Sequence, residues 1–282
     1  MKLIPIVRAA LTAVTALFAG SLIAAGATTQ PNPFDGDWHF SLTPYLWLPN
    51  INADLSYDLP PRVAELLDSE AARLDARIGP NDWLSSLKFG LLLAGEARKG
   101  PWSVFTDIIY LDLGNQDATV RTLHGPRGEA FAAIDRQSQI DLSATVWTLG
   151  GGYTLAHGSW GHVDALAGFR YLGLDTDLKW QFAGSRDRLE RTVKVSRNEE
   201  QWDGLIGVKG QILFANGSWF MPFYLDLGAG SSNLTWQAML GAGYRFGWGD
   251  VTLAIRSLSY DFDEQNADVR FTGPMLGATF RW

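Results

Sequence analysis

The sequence contains no cysteine, and this absence excludes disulfide bonds, thiolate metal ligands and a cysteine nucleophile. Beyond residue 27 it also lacks any run approaching the roughly 18 apolar residues that a membrane-spanning helix needs, which excludes a helical membrane protein. Methionine is scarce, with four residues, whereas the 282 residues include thirty glycines and twelve tryptophans. That composition is typical of strand-rich folds with tight turns and aromatic-rich surfaces.

The first 27 residues have the build of a secretory signal peptide. Lys2 and Arg8 precede an apolar stretch over residues 9–25, and Ala25 and Ala27 form the small-x-small end of a cleavage site. We expect cleavage after Ala27; the alternative is an uncleaved membrane helix. Cleavage leaves 21 basic and 30 acidic residues, a net charge of about −9, which argues against a nucleic-acid partner.

Several segments alternate apolar and polar residues with a period of two, which indicates strands with one apolar face. The clearest is 236–246, where every even position from Trp236 to Phe246 is apolar or aromatic, and the last strand repeats the pattern from Leu276 to Trp282. In a soluble β-sandwich such a face turns inward. In a membrane β-barrel it turns outward to lipid, and the opposite face lines the lumen.

We predict ten strands, joined by connections of two kinds. Four connections are very short and carry the Gly, Pro and Asn that tight reversals need; they lie at 99–101, 157–159, 216–218 and 247–249. The others are mostly long and polar, at 49–82, 114–137, 176–200 and 261–268. The predicted strands span 38–48, 83–98, 102–113, 138–155, 161–175, 201–215, 219–229, 234–246, 250–260 and 269–282.

The tryptophans fall into two groups separated by the length of a strand. Six lie at the short-turn end: Trp38, Trp102, Trp160, Trp219, Trp248 and Trp282. Five lie where strands enter or leave the long loops: Trp47, Trp83, Trp180, Trp202 and Trp236. Two aromatic belts at the membrane interfaces, with short periplasmic turns and long outer loops, are typical of a transmembrane barrel. We therefore predict an all-β, antiparallel transmembrane β-barrel of about ten strands, with eight or twelve as alternatives, because a soluble sandwich has no reason for this pattern.

One loop carries a helical pattern. Between Leu59 and Gly79, apolar residues recur at helical spacing after two prolines that suit a helix start. We predict one helical segment in this first loop, lying either on the rim of the barrel or as a cap over its outer mouth. The apolar stripe needs a surface to cover, but the sequence leaves both positions open.

The C-terminal strand and two other stretches extend this interpretation. Outer-membrane barrels commonly finish on an aromatic residue, here Trp282, with apolar residues at alternating positions before it. The stretches 38–49 (WHFSLTPYLWLP) and 95–102 (GEARKGPW), the latter continuing to residue 113, resemble a group of uncharacterised, porin-like proteobacterial outer-membrane barrel proteins. The resemblance covers about a third of the chain and carries no catalytic residue.

This resemblance implies a Gram-negative outer-membrane location for the mature chain. We expect a short periplasmic segment over 28–37 and the barrel over 38–282. The expected partners are outer-membrane lipid and the barrel assembly machinery, which the C-terminal strand would engage. Nothing in the sequence identifies a solute that the barrel would transport.

If apolar faces meet lipid, the opposite faces place seven basic and five acidic side chains in the lumen. These are Lys88, Glu96, Arg98, Asp107, Asp141, Asp164, Arg170, Lys209, Asp226, Arg245, Arg256 and Arg281, accompanied by His39, Ser41 and Gln211. Such density favours paired charges, because an unpaired ion away from water is costly. Ten strands enclose a narrow interior. The function predicted is a narrow channel for small polar solutes or ions; the alternative is a non-transporting structural or surface-interaction barrel with a side-chain-filled lumen.

An enzyme is not expected. The pair His39 and Ser41 has the His-x-Ser spelling of outer-membrane acyl hydrolases, but it lies at the periplasmic end, away from the outer leaflet. His162 and Asp164 lie at a periplasmic turn. Because no metal-ligand spacing and no phosphate-binding glycine loop is present, we expect neither a metal site nor a cofactor.

Overall fold

A computed structural model describes residues 32–58, 71–117, 139–182, 191–214, 218–262 and 267–282. The expected signal peptide and its cleavage site lie outside these residues. Twelve strands and one short helix, α1 (Pro80–Leu84), occupy the described residues. No helix among them is long and apolar enough to cross a membrane. The strands are β1 (Trp38–Trp47), β2 (Asn50–Asp58), β3 (Ala71–Ile78), β4 (Leu87–Lys99), β5 (Trp102–Asp117), β6 (Gln139–Gly158), β7 (Gly161–Phe182), β8 (Arg191–Phe214), β9 (Trp219–Gly230), β10 (Leu234–Phe246), β11 (Gly249–Phe262) and β12 (Ala267–Arg281).

Ten of the strands close into a ring. The hydrogen-bonded order runs β1-β4-β5-β6-β7-β8-β9-β10-β11-β12, and β12 pairs back with β1. All the neighbouring pairs are antiparallel, and the closing pair continues to the chain end, where Phe40 and Trp282 exchange two backbone hydrogen bonds of 2.9 and 3.1 Å. The ten-stranded antiparallel barrel predicted from the sequence is confirmed.

The ends of the barrel differ. At one end, here the lower end, neighbouring strands are joined by tight turns, for example at Gly100, whose φ of 55° lies in the left-handed region that glycine tolerates. At the upper end the strands reach much farther, and β6, β7 and β8 are 20, 22 and 24 residues long. A membrane-crossing strand needs only about 9–11 residues. The predicted loop over 176–200 is therefore largely strand, and this part of the wall is longer than a bilayer crossing requires.

Two strands lie outside the ring at its upper end. The lower part of β12 pairs with β1, but its upper part, from Ala267 to Thr272, pairs with β2. β2 thus covers the upper edge of β12, and β3 pairs with the other edge of β2. At the bend between β1 and β2, Leu48 donates a backbone hydrogen bond to Pro274 at 3.0 Å, which keeps the ladder continuous.

The helix predicted over 59–79 is wrong where the structure describes it. Ala71–Ile78 is the strand β3, and residues 59–70 lie outside the described part of the chain. The physical reason is visible in the sequence, because Ala72, Leu74, Ala76 and Ile78 alternate with charged residues at period two. The loop does contain a helical segment, but it is the five-residue α1, which begins at Pro80.

Alternation along the strands separates an apolar outer face from the lumen face. Leu253, Ile255 and Leu276 are 61%, 57% and 52% exposed on the outside. Arg170 and Asp226, on the inner face, are completely buried. An outer surface with such exposed apolar side chains is suited to contact with lipid rather than with water.

We predict that the Phe280→Lys/Trp282→Lys double variant assembles poorly. Trp282 stacks on Phe40 of β1 at 6.3 Å between ring centroids, which helps to hold the closing pair, and Phe280 packs at 5.4 Å against Trp248, which fixes β12 to the turn before β11. The charges cost about 0–1 kcal/mol each at an interface, and the lost aromatic contacts about 0.5–1.5 kcal/mol each. The fraction of heat-modifiable barrel on a cold gel measures assembly. The matched control is Trp102→Lys, which alters an equally exposed belt tryptophan outside the closing pair; equal assembly of all variants would contradict the role given to this end.

Candidate functional site in the barrel lumen

The lower lumen holds a network of charged side chains from three strands, joined by a threonine from a fourth. The Arg98 guanidinium pairs with Asp164 and with Glu96, the latter at 2.8 Å, and donates to the Thr154 hydroxyl at 2.7 Å. Lys209 Nζ lies 2.8 Å from the other carboxylate oxygen of Glu96. Thr154 in turn donates to Asp164 at 2.7 Å. Every charge in this cluster is therefore paired with an opposite charge.

A second network lies in the middle of the lumen around Arg256. Its guanidinium donates to the hydroxyl of Tyr45 at 2.9 Å, to Asp107 at 2.6 Å and to Gln237 at 2.8 Å. Tyr45 donates to Asp107 at 2.6 Å, which closes a triangle of hydrogen bonds. Four different strands contribute to this one cluster, since Tyr45 lies on β1, Asp107 on β5, Gln237 on β10 and Arg256 on β11.

A third network surrounds Arg170, which is fully buried. Its guanidinium pairs with Asp226 and donates to Thr148 and Thr235, each at 3.2 Å. The Thr235 hydroxyl donates onward to the backbone carbonyl of Ser259 at 3.0 Å. A buried arginine is tolerable only when its charge and its N–H groups have partners, and these contacts supply them.

The remaining lower rim carries a pair and an unpaired cation. Arg281 pairs with Asp250, and its Nε lies 2.9 Å from the carboxylate. Arg245 forms no ion pair with any described residue; its guanidinium lies 5.5 Å from the centre of the Phe220 ring. With Asp250 included, the lower lumen carries four basic and three acidic side chains in these clusters.

Three contacts span almost the full width of the barrel. Lys209 and Glu96 join β8 to β4, and Asp107 and Arg256 join β5 to β11. An aromatic contact, with ring centroids 6.4 Å apart, joins Phe105 on β5 to Tyr224 on β9. Each contact connects strands four places apart in a ring of ten, one place short of directly opposite. Side chains therefore meet across the lumen at several levels.

A cluster of apolar and aromatic side chains fills the lumen above the lower network, beside the networks of Arg256 and Arg170. Nine buried residues from six strands pack in one cluster: Tyr45, Trp47, Ile109, Val146, Leu172, Ala254, Leu258, Tyr260 and Met275. The lumen thus changes along its axis from paired charges at the lower end to a mixed core of apolar side chains and buried arginine networks above.

A short segment before β1 lies over the lower mouth. Phe34 stacks on His157 with centroids 4.2 Å apart, meets His162 edge-on at 5.5 Å, and lies under the Arg98 guanidinium at 5.2 Å. His39 Nε2 lies 2.8 Å from Asp35, and this hydrogen bond lowers the pKa of Asp35 below its usual value. His39 thus makes its hydrogen bond to a carboxylate of this segment.

The structure places most of the predicted lumen residues together inside the barrel. Lys88 and Asp141 are the two that it does not place there. Lys88 is exposed near the upper end of β4, and the side chain of Asp141 lies outside the described part of the chain. Sequence reasoning missed Tyr45, Asp203, Thr235, Gln237 and Asp250, which are all buried. Strand phase was the available signal. Each of these residues lies an even number of positions along its strand from a residue that the sequence assigned to the lumen. Among the described residues, no cluster of three or more His, Asp and Glu side chains is arranged to hold a metal ion.

Two tryptophans assigned to the membrane interface are elsewhere. Trp47 is 4% exposed and lies under Arg256, because it shares the inward phase of Tyr45 on β1. Trp83 is 3% exposed, and its indole nitrogen donates to the carbonyl of Pro49 at 3.0 Å, which ties α1 to the bend after β1. Both interface assignments are wrong. The Trp180 side chain lies outside the described residues, and the remaining eight are outward-facing or exposed: Trp38, Trp102, Trp160, Trp202, Trp219, Trp236, Trp248 and Trp282.

The closed ring, the apolar outer face and the enclosed polar network define a transmembrane β-barrel. No family model matches the chain, and no curated protein matches it in sequence. Solved barrels align over most of their length. The outer membrane protease OmpT of Escherichia coli aligns with 90% of this chain and 100% of its own, at 9% identity and a TM-score of 0.48. The translocator domain of the autotransporter NalP of Neisseria meningitidis aligns over 98% of both chains, at 14% identity and a TM-score of 0.39.

A third solved structure is Ail, the attachment invasion locus protein of Yersinia pestis. It aligns with 87% of this chain and 99% of its own, at 10% identity and a TM-score of 0.34. At these identities the likeness is one of fold alone.

We predict that breaking the Arg170–Asp226 pair from one side destabilises the barrel more than removing both charges. Arg170→Met or Asp226→Leu alone leaves one buried charge without its partner, at a cost of about 3–5 kcal/mol. The double variant leaves no unpaired charge. Its loss of stability should therefore be well below the sum of the losses in the two single variants. Urea unfolding of the folded barrel in micelles measures each free energy of unfolding. Asp35→Ala is the control, since it breaks an exposed pair that water and salt screen, so little stability should be lost; additive effects at Arg170 and Asp226 would contradict the network.

Proposed function

We propose that the protein is an outer-membrane barrel that does not transport solutes and acts through its outer surface, as a structural or surface-interaction protein. The observation that carries this proposal is the Arg256–Asp107 contact across the lumen, with N and O atoms 2.6 Å apart. It lies between the Glu96–Lys209 bridge below and the apolar cluster above. The packing favours the side-chain-filled alternative over the narrow channel also expected from the sequence.

The energetics point the same way. A polar solute passing the middle of the lumen would have to separate Arg256 from Asp107 and Tyr45, and separating a buried pair leaves each charge poorly solvated. It would then meet the cluster around Leu258 and Met275, whose mostly apolar side chains offer few groups to replace the lost hydration of a small ion. A selective channel instead lines its path with groups that replace the lost hydration.

The upper wall supplies the surface through which such a barrel would act. β7 and β8 pair without interruption from Gly161 and Ile212 up to Phe182 and Arg191. With β2 and β3 on the other side of the ring, this wall extends well beyond what a bilayer requires. An outward sheet of this size supports a role in contacting molecules outside the cell.

The orientation and partners form part of the proposal. The lower end, with its short turns, would face the periplasm, as in other barrels of this architecture. The signal peptide expected at the N-terminus supports export, and the outward apolar face supports lipid as the immediate partner. The closing strand β12, ending at Trp282, would engage the barrel assembly machinery.

We expect the full-length mature protein to give no steady conductance in planar bilayers. The Lys209→Gln/Arg245→Gln variant should be equally silent, because the cross-barrel contact of Arg256 remains. A Tyr45→Ala/Asp107→Ala/Arg256→Ala/Leu258→Ala/Met275→Ala variant removes that contact and the centre of the apolar cluster, and it serves as the positive control for a widened lumen. Heat-modifiable migration verifies that every protein is folded before recording. A steady anion-selective conductance in the parent, reduced by the glutamine pair, would replace this proposal with the channel.

A further inference from the structure

An apolar groove of about 280 Å³ runs along the outer face of the barrel in its lower half. Gly95 and Ala97 on β4 leave its floor without large side chains, and Phe40, Val104, Leu149 and Trp282 stand around them. A methyl group added at Gly95 would have its nearest neighbour at 3.6 Å, so backbone packing does not demand glycine there. The small residues open a space on the outside of the wall. We call it the lower groove.

The groove opens toward lipid. Gly95 and Ala97 share the outward phase of Phe89 and Leu91, which are 56% and 42% exposed, while Glu96 and Arg98 between them point into the lumen. Inside a bilayer, the substance available to fill an outward apolar groove is a hydrocarbon chain. This argument alone does not distinguish one lipid from another.

The charge at the next outward position on β4 favours an anionic lipid over a neutral one. Lys99 follows Ala97 by two residues and ends β4 at the lower interface, where it is exposed. In the sheet it stands opposite Trp38 on β1 and Trp102 on β5, and its Nζ lies 5.6 Å from the centre of the Trp38 ring. A cation that stands between two interfacial tryptophans, next to an outward apolar groove, is placed to meet an anionic headgroup.

We propose that the lower groove and Lys99 form a binding site for an anionic phospholipid of the periplasmic leaflet. One acyl chain lies along Gly95 and Ala97, and the headgroup phosphate pairs with Lys99. Trp38 positions the lysine through its ring face but takes up none of the ammonium's three N–H donors, which stay available for phosphate oxygens. This site lies on the outer face of the wall, so it is independent of whether the lumen conducts.

Native mass spectrometry of the full mature barrel, titrated with phosphatidylglycerol or phosphatidylcholine in detergent, tests the proposal. The parent should hold one phosphatidylglycerol more tightly than phosphatidylcholine, by about fivefold for a single lysine near the surface. Lys99→Gln should abolish the preference between headgroups. Ala97→Leu fills the groove and should weaken both lipids.

Two matched controls separate this site from the general lipid belt. Ala242→Leu enlarges an exposed outward alanine on β10, away from the groove. Arg270→Gln removes a cation that lies 5.6 Å from the Trp236 ring on the outer face of β12, an arrangement like that of Lys99 and Trp38. Both should retain the parent's preference, and all variants must show heat-modifiable migration.

Equal binding of the two lipids by the parent would overturn the proposal, as would loss of preference in Arg270→Gln to the same extent as in Lys99→Gln. A stable dimer of the parent that Ala97→Leu dissolves would assign the groove to a second copy of the chain instead. Preferential retention of one phosphatidylglycerol by the parent, loss of that preference in Lys99→Gln and weaker binding of both lipids by Ala97→Leu support the site.

Discussion

The closure of β12 onto β1 is the constraint on which the rest of the structure depends. In hydrocarbon no water is available to pair backbone N–H and C=O groups, so a sheet can cross a membrane only when its two edges meet. Here they meet from Ser41 opposite Arg281 up to Trp47 opposite Met275. Above that level β1 bends at Leu48, and β2 takes over the pairing with β12. The same ladder therefore continues beyond the membrane with a different strand.

A closed ring of ten strands determines what the lumen can contain. Side chains of alternate residues must point inward, and at this strand number those from nearly opposite walls come within contact distance. Arginine is the residue that exploits this geometry, since one guanidinium can bind several acceptors at once. Arg256 reaches three neighbours and Arg170 another three. The lumen is accordingly a polar core that ties strands distant in the ring to one another.

Local periodicity was enough to predict the ten strands of the ring, but not which side chains pair across the lumen. Period-two alternation and the placement of tryptophan and glycine predicted the ten strands, and the alternation of 236–246 places its side chains as the structure does. Trp47 was misassigned because its position near a strand end was weighed above its phase with Tyr45. β3 was taken for a helix because helical spacing of its apolar residues hid the alternation from Ala72 to Ile78. Which charge meets which across the barrel, such as Asp107 with Arg256, depends on register between strands that are far apart in sequence.

The absence of cysteine allows a direct measurement of the central claim, that side chains fill the lumen. Single cysteines can be introduced at Thr148 and Thr252, two buried positions on the lumen face, and at Leu253, an exposed position on the outer face. A fourth, at Ser41 near the lower mouth, reports access from the periplasmic end. Labelling of the folded barrel in liposomes with a small charged thiol reagent then reports which positions water reaches. Our account predicts rapid labelling at Ser41 only, and protection at Thr148 and Thr252 until the barrel is unfolded. Rapid labelling at Thr148 in the folded barrel would contradict it, because the reagent could reach that position only through an open aqueous path.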